Sequence, residues 1–330
     1  MSPDAVSVIV PAYRAGNLLP ASLEAIAASR FPPGEVIVVI DGEEDESMAQ
    51  AARSRGARVL TLPRRVGPGG ARNAGARAAR GRILIFIDAD VCVAPEAIGR
   101  LVSALEESPE IDAAFGSYDA SPPRANFVSQ YRNLLHHYVH QQGQPKAQTF
   151  WAGLGAIRRE AFEAMEGFDA KRYPRPSIED IELGERLRSA GRRVRLIKAA
   201  QGTHLKHWSF FGMLSTDVFR RGLPWTELIL SSGRMPDDLN LGTRHRVGVA
   251  ATGIGIAAAC GGVFEPWLFA VGALSLAVAV AAASDVLLFL ARARGPLFAL
   301  RAVPLHLVYF AAAGFAFLLG SARHLRRRLA

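Results

Sequence analysis

The chain has 330 residues, 50% of them hydrophobic, and Lys plus Arg exceed Asp plus Glu by 39 to 30, a formal net charge of +9. This length excludes a small module and allows one or two domains with appendages, while the basic excess suits a nucleic acid, an anionic membrane surface or a phosphate-bearing substrate. Cys92 and Cys260 lack CxxC spacing, which argues against a disulfide framework and a cysteine-based zinc site.

The first residues carry no basic run followed by an apolar core, so no cleaved signal peptide is expected and the first domain is expected in the cytosol. Strand-like and helix-like stretches then alternate: VSVIV (6–10) and NLLPASLEAIAAS (17–29), EVIVVI (35–40) and an acidic helix start, ARVLTL (57–62) and GGARNAGARAAR (69–80), and finally RILIFI (82–87). This order predicts an α/β domain with a parallel sheet and right-handed crossovers. Ligands of such sheets bind beyond the carboxyl ends of the strands. Pro11-Ala12-Tyr13, Asp41-Gly42 and Asp88-Ala89-Asp90 all fall there, so three loops converge on one crevice. Helices are expected near 95–107, 125–142, 158–165 and 178–190, with shorter strands between, which completes a domain over 1–203.

Residues 204–245 follow, with aromatic Trp208, Phe210, Phe211, Phe219 and Trp225 mixed with Arg220 and Arg221, a composition suited to helices lying at a membrane interface. A buried amphipathic helix pair is the alternative. From 246 to 330 three apolar stretches are expected to form transmembrane helices (247–264, 267–290 and 297–320), the first two as a hairpin turning at Phe264-Glu265-Pro266-Trp267. Arg244, Arg246, Arg292, Arg294 and Arg301 place their flanks in the cytosol by the positive-inside rule. The basic tail from Arg323 conflicts with three full spans, so the third segment could also be re-entrant or interfacial. Asp285 reads as a solvated helix end.

The strand ILIFI ends in two acids, Asp88 and Asp90, and burying unpaired carboxylates costs several kcal/mol. Hard oxygen ligands at a strand end suit Mg²⁺ or Mn²⁺, with coordination positions left for water and phosphate. GPGGARNAG (67–75) places glycines, Arg72 and Asn73 at a loop-to-helix junction suited to a phosphate or nucleotide, or simply to a turn. It matches neither GxGxxG nor GxxxxGK[ST]. SIEDIEL (177–183) starts a helix, with Ser177 the expected cap and Asp180 a candidate general base whose pKa Glu179 would raise. His136, His137 and His140 have helical spacing but no evident fourth ligand. His204 and His207 could contact phosphate or simply pack. A nucleic-acid role lacks aromatics interleaved on a basic face of the soluble domain.

In order, VSVIVPAYRAGNLLPASLEAI, VIVVIDG, GGARNAG, FIDADV and GFD…SIEDIELGERL resemble the family 2 glycosyltransferases of the GT-A fold, over residues 4–200. The resemblance implies a Rossmann-like mixed sheet and an inverting transfer of a sugar from a nucleotide diphosphate sugar. It implies that Pro11, Ala12, Tyr13 and Asp41 hold base and ribose, and that Arg72, Asn73 and Asp88 line the nucleotide site. Asp90, with Asp88, would hold the metal, and Asp180, with Glu179 beside it, would deprotonate the acceptor. Ile40 stands where members often have a second acid, and Arg14-Ala15 where an acid often follows the first turn. The QxxRW motif of processive members is replaced by Arg220-Arg221-Gly222-Leu223-Pro224-Trp225, which favours single transfer. His204, Arg220, Arg221 and Trp225 are candidates to meet the acceptor or a pyrophosphate. The expected enzyme is held in the cell membrane with its catalytic domain cytoplasmic, acting on a lipid or lipid-linked acceptor. A catalytically silent GT-A-like membrane anchor or assembly protein is the rival.

Overall fold

The computed structural model describes residues 5–42, 45–235 and 239–329. The chain divides into two compact units, one of residues up to Ala125 with His140–His207, the other of Asn126–Val139 with Trp208 onward. The boundary expected near 203 falls a few residues later. The helix expected at 125–142 forms as α5 (Phe127–Gln142), and residues 126–139 fall in the second unit.

In the first unit the expected alternation is realised as β1 (Val6–Ala12), α1 (Leu19–Ala27), β2 (Glu35–Asp41), α2 (Glu46–Arg53), β3 (Arg58–Leu62), α3 (Gly67–Ala78) and β4 (Ile83–Ile87). β5 (Val91–Val93), α4 (Ala97–Glu106), β6 (Ala113–Tyr118), β7 (Lys146–Ala147), β8 (Leu154–Arg158), α6 (Arg159–Ala164), α7 (Glu179–Ser189) and β9 (Val194–His204) follow. The sheet runs β3-β2-β1-β4-β8-β6-β9-β5, with β7 on β9. β1 to β4 are mutually parallel, and β8 enters antiparallel between β4 and β6, so the sheet is mixed. Two apolar clusters cover its faces, one around Val8, Val38, Ile85 and Leu101, the other around Ile9, Phe86, Phe115 and Leu183. The strand ILIFI is buried at all five positions because helices cover both faces, the arrangement a continuous apolar run requires.

Two features position the crevice. Gly75 packs α3 onto the sheet: a Cβ there would lie 2.5 Å from Ile9 Cγ2. Gly67, at φ 81, starts α3 where a Cβ would lie 2.5 Å from the Pro174 carbonyl, so the loop before α7 lies directly on the start of α3.

In the second unit, α8 (Phe210–Ser215) continues into a π-helical segment (Thr216–Gly222) and α9 (Leu223–Ser232), then α10 (Thr243–Gly261), α11 (Leu268–Ala282), α12 (Ser284–Arg294) and α13 (Pro296–Leu329). Arg132 and Asp217 form a buried two-point ion pair that clamps the π-helical segment to α5. α10 and α11 approach closely at Gly255 and Gly272, a contact that only small residues permit. Large apolar side chains, among them Ile254, Val263, Phe264, Trp267 and Leu274, point outward.

Among the described residues one helix, Pro296–Arg328, is long and apolar enough to cross a membrane; α11 and α12 pass together but are bent by 59° at the break between them. Of the three spans expected, the described residues therefore supply one qualifying helix and one bent pair. The 267–290 stretch breaks at Ala283, and the 297–320 segment lies within the 34-residue helix α13. Asp285 is exposed and ion-paired with Arg244, as expected for a solvated helix end.

Candidate active site

The crevice lies at the carboxyl edge of β1, β2 and β4. Asp41, the last residue of β2, is buried, and its two oxygens accept the backbone N–H groups of Val66 (2.7 Å) and Gly67 (2.9 Å). The carboxylate thus sits at the amino end of α3, where the helix dipole favours negative charge. In this structure Asp41 shapes the loop that was expected to cradle a nucleotide.

Arg72, on α3, answers the question posed by the two acids after β4. Its Nη2 donates to Asp88 at 2.6 Å and its Nη1 to Glu179 at 3.0 Å, with the side chain 5% exposed. Burial works against its charge, but Asp88, Glu179 and Asp180 outweigh it and raise its pKa. One cation therefore joins the end of β4 to the start of α7, with Glu179 lying 107 residues after Arg72. The Asp88 carboxyl is raised, by burial first, with Arg72 opposing and Asp90 adding to the rise.

The Asn73 side chain does not face outward. Its amide pairs with the backbone of Phe168, donating to the carbonyl at 2.8 Å and accepting the N–H at 2.9 Å. Asn73 therefore fixes the Gly167-Phe168-Asp169 loop.

Glu179 receives Arg72 on one oxygen and the Ser177 N–H on the other. Ser177 is not the helix cap as expected; the capping position is Ile178, and Glu179 reaches back instead. Asp180 accepts N–H groups from Ala152 (3.1 Å) and Ile181 (2.9 Å). Burial and the neighbouring Glu179 charge raise its pKa to about 6, against the lowering influence of Arg72 and the two N–H groups. A carboxylate tuned this way can accept a proton near neutral pH.

Asp90 meets His204 at 3.4 Å. The contact follows from register: β5 and β9 are antiparallel with Val91 opposite His204, and Leu205 N–H bonds the Asp90 carbonyl. Burial raises the Asp90 pKa, but the His204 hydrogen bond and the charges of His204 and Lys206 outweigh it, so the net shift is downward. His204 also stacks flat on Tyr118, with ring centroids 4.3 Å apart, and Tyr118 meets Trp151 edge-on.

The sequence profile described as glycosyl transferase family 2 matches residues 7–165, from β1 to the end of α6. Residues 7–165 thus form a domain of this glycosyltransferase family. A glycosyltransferase of Haemophilus influenzae is 31% identical over 198 residues, which cover 55% of this chain and 66% of that one. The undecaprenyl-phosphate 4-deoxy-4-formamido-L-arabinose transferase of Serratia proteamaculans is 31% identical over 168 residues, 48% of this chain and 51% of its own. The chain thus spans about half to two thirds of these relatives' length. Among solved structures, the mannosyltransferase PcManGT of Pyrobaculum calidifontis, in complex with GDP-Man and Mn²⁺, superposes with a TM-score of 0.62 at 20% identity, covering 95% of this chain and 87% of that one. That likeness establishes the GT-A fold.

Asp180, Glu179 and His204 lie beyond the profile match, yet the fold returns them to the crevice that the matched residues build. The donor set fits a divalent cation. Asp90, whose pKa is lowered, and His204 stand 3.4 Å apart, whereas Asp88 is engaged by Arg72. Among the described residues no group of three His, Cys, Asp or Glu is placed to hold a metal, so substrate phosphates and water would complete the shell, as is usual for Mg²⁺ or Mn²⁺ at phosphate sites. His204, a candidate for acceptor or pyrophosphate contact, lies beside Asp90. His140 belongs to the core: its Nδ1 donates to the Gly116 carbonyl at 3.0 Å and its ring packs on Phe115 and Trp151.

Pro11 and Ala12 close β1, and Tyr13 follows them with its ring exposed at the rim. Arg220, Arg221 and Trp225 lie in the second unit, Arg220 exposed on the π-helical segment, Arg221 and Trp225 half-buried. Sequence reasoning missed the Tyr118–His204 stack and the Ala152 N–H on Asp180; both depend on pairings between distant segments, with no local signal.

Proposed function

We propose that the chain transfers a sugar from a nucleotide diphosphate sugar to an acceptor hydroxyl or phosphate with inversion at the anomeric carbon. The observation that carries this reading is Asp180: a carboxylate raised to about 6, held by backbone N–H groups, and within electrostatic reach of the Arg72 that grips Asp88. As the acceptor oxygen bonds to the anomeric carbon, the bond to the donor's phosphate oxygen breaks, and the acceptor proton passes to Asp180 Oδ. Arg72 keeps Asp88 and Glu179 in place and, through its charge, keeps Asp180 from rising further. A divalent cation held by Asp90 and His204, Mg²⁺ or Mn²⁺, would neutralise the charge that develops on the leaving diphosphate.

The acceptor is proposed to be a lipid or lipid-linked molecule at the inner membrane, reached from the cytosolic side. The 33-residue apolar helix Pro296–Arg328 supports membrane residence, as do exposed Phe211 and Phe219 beside Arg220. The lipid-phosphate substrate named for the Serratia proteamaculans relative points the same way. The absence of a glutamine ahead of Arg220-Arg221 supports single rather than repeated transfer.

The test separates the two acids. Asp180→Asn is expected to abolish turnover with donor affinity nearly unchanged, whereas Asp90→Ala weakens metal-dependent donor binding. Isothermal titration with a nucleotide diphosphate in the presence of Mn²⁺, and then after chelation, reads the difference. Equal loss of donor affinity in both variants would contradict the division of roles.

A further inference from the structure

Tyr13 follows the last residue of β1, and 40% of its surface is open at the crevice rim. The guanidinium of Arg65 lies 3.9 Å from its ring centroid and that of Arg14 5.3 Å away. Arg65 is held from β2. Gly42, at φ 113, lies in contact with the Arg65 backbone, and the next two amides, of Val66 and Gly67, are gripped by Asp41. Arg14 adopts the left-handed conformation, φ 51, which a non-glycine residue enters against its preference. Two planar cations are thus brought to one exposed aromatic ring at the edge where ligands of such sheets bind.

We propose that Arg65, stacked on Tyr13, reads the donor's base and selects guanine, so that the donor is a guanosine diphosphate sugar. The inference rests on the nucleotide-sugar reading above and adds to it the identity of the base. A guanidinium is a rigid fork of paired N–H donors, matched by two adjacent acceptors in one plane. Guanine presents such a pair in N7 and O6, whereas adenine sets a donor beside its N7 acceptor, and uracil and thymine separate their carbonyls by an N–H. Cytosine also carries adjacent acceptors, but the two fused rings of guanine offer the larger face to an aromatic and guanidinium stack. Asp41, at the end of β2, already has both oxygens on backbone N–H groups. The two guanidiniums against the Tyr13 ring are hydrogen-bond donors, the complement of a base edge made of acceptors.

The experiment is titration of the full-length protein in detergent with GDP, UDP, CDP and ADP, each with Mn²⁺, followed by the same titrations on Arg65→Lys and Tyr13→Ala. GDP is expected to bind about tenfold more tightly than the other three, the scale of one bidentate base contact. Arg65→Lys, which keeps the charge and loses the fork, is expected to bring GDP to within about threefold of UDP while leaving UDP nearly unchanged. Tyr13→Ala is expected to weaken GDP most. Equal binding of GDP and UDP by the unaltered protein overturns the assignment, as does tighter binding of CDP. So does a uniform loss across all four in Arg65→Lys, which would place Arg65 on the phosphates. Failure of all four to bind would overturn the glycosyl-transfer reading as well, which separates that outcome from a mere lack of base preference.

Discussion

Arg72→Leu removes the one cation shared by Asp88 and Glu179. The side chains of Arg72 and Glu179 are 5% and 6% exposed, so the substitution strands a buried carboxylate that retains only the Ser177 N–H. Breaking a buried pair by removing one partner costs about 3–5 kcal/mol. The Asp88 side chain, 31% exposed, adds little, because water can take over its charge. At about 2–4 °C per kcal/mol for a unit of this size, the unfolding midpoint should fall by about 6–20 °C. Glu179→Gln in the same background removes the stranded charge and should restore more than half of the loss. A second signature separates this from a generic packing defect. Arg72 lowers the Asp180 pKa, so its removal should carry that pKa above its present value of about 6 and move the acid limb of residual activity to higher pH. Thermal unfolding of the single and double variants, with initial rates across pH, reads both effects. A midpoint within about 2 °C of the unaltered protein, no restoration by Glu179→Gln, or an unmoved acid limb would refute the three-way ion pair as the organising contact.

In the unaltered enzyme, turnover at saturating donor should fall as pH drops below about 6, because Asp180 works ionised and burial together with the Glu179 charge raises its pKa. An acid limb near about 3.9, the ordinary aspartate value, would show that Asp180 is not the base. Asn73→Ala should cost about 1–3 kcal/mol through the unpaired Phe168 backbone. Gly167→Ala should act through the same contact, since Gly167 is at φ 70 and a Cβ would stand 2.5 Å from Asn73 Oδ1. The double variant should lose less than the sum, and full additivity in thermal unfolding would separate the two sites. The protein should stay in the membrane pellet through an alkaline carbonate wash and be released by detergent; release by carbonate would argue against a spanning α13.

Much of the architecture was readable without coordinates, because it depends on local periodicity. Four apolar runs became β1 to β4 within one or two residues, and the acids and glycines following them fell on one sheet edge as parallel topology requires. The 267–290 stretch misled because composition records how apolar a segment is and not where it bends, and the chain turns by 59° at Ala283. Ser177 had the composition of a cap, yet the helix begins after Ile178 and the Glu179 carboxylate reaches back to the Ser177 N–H.

What the residue order determined by itself is therefore the strands, the helices and the edge at which their polar ends collect. Which of those polar groups carries which duty was decided only in three dimensions. Asp41 was absorbed by Val66 and Gly67, Asn73 by Phe168, and Asp88 by Arg72, while Asp90 acquired His204 through the β5 and β9 register. The reason is physical: apolar periodicity is a property of neighbours along the chain, but a buried charge must find its partner wherever the fold delivers one, and for Arg72 and Glu179 that distance is 107 residues.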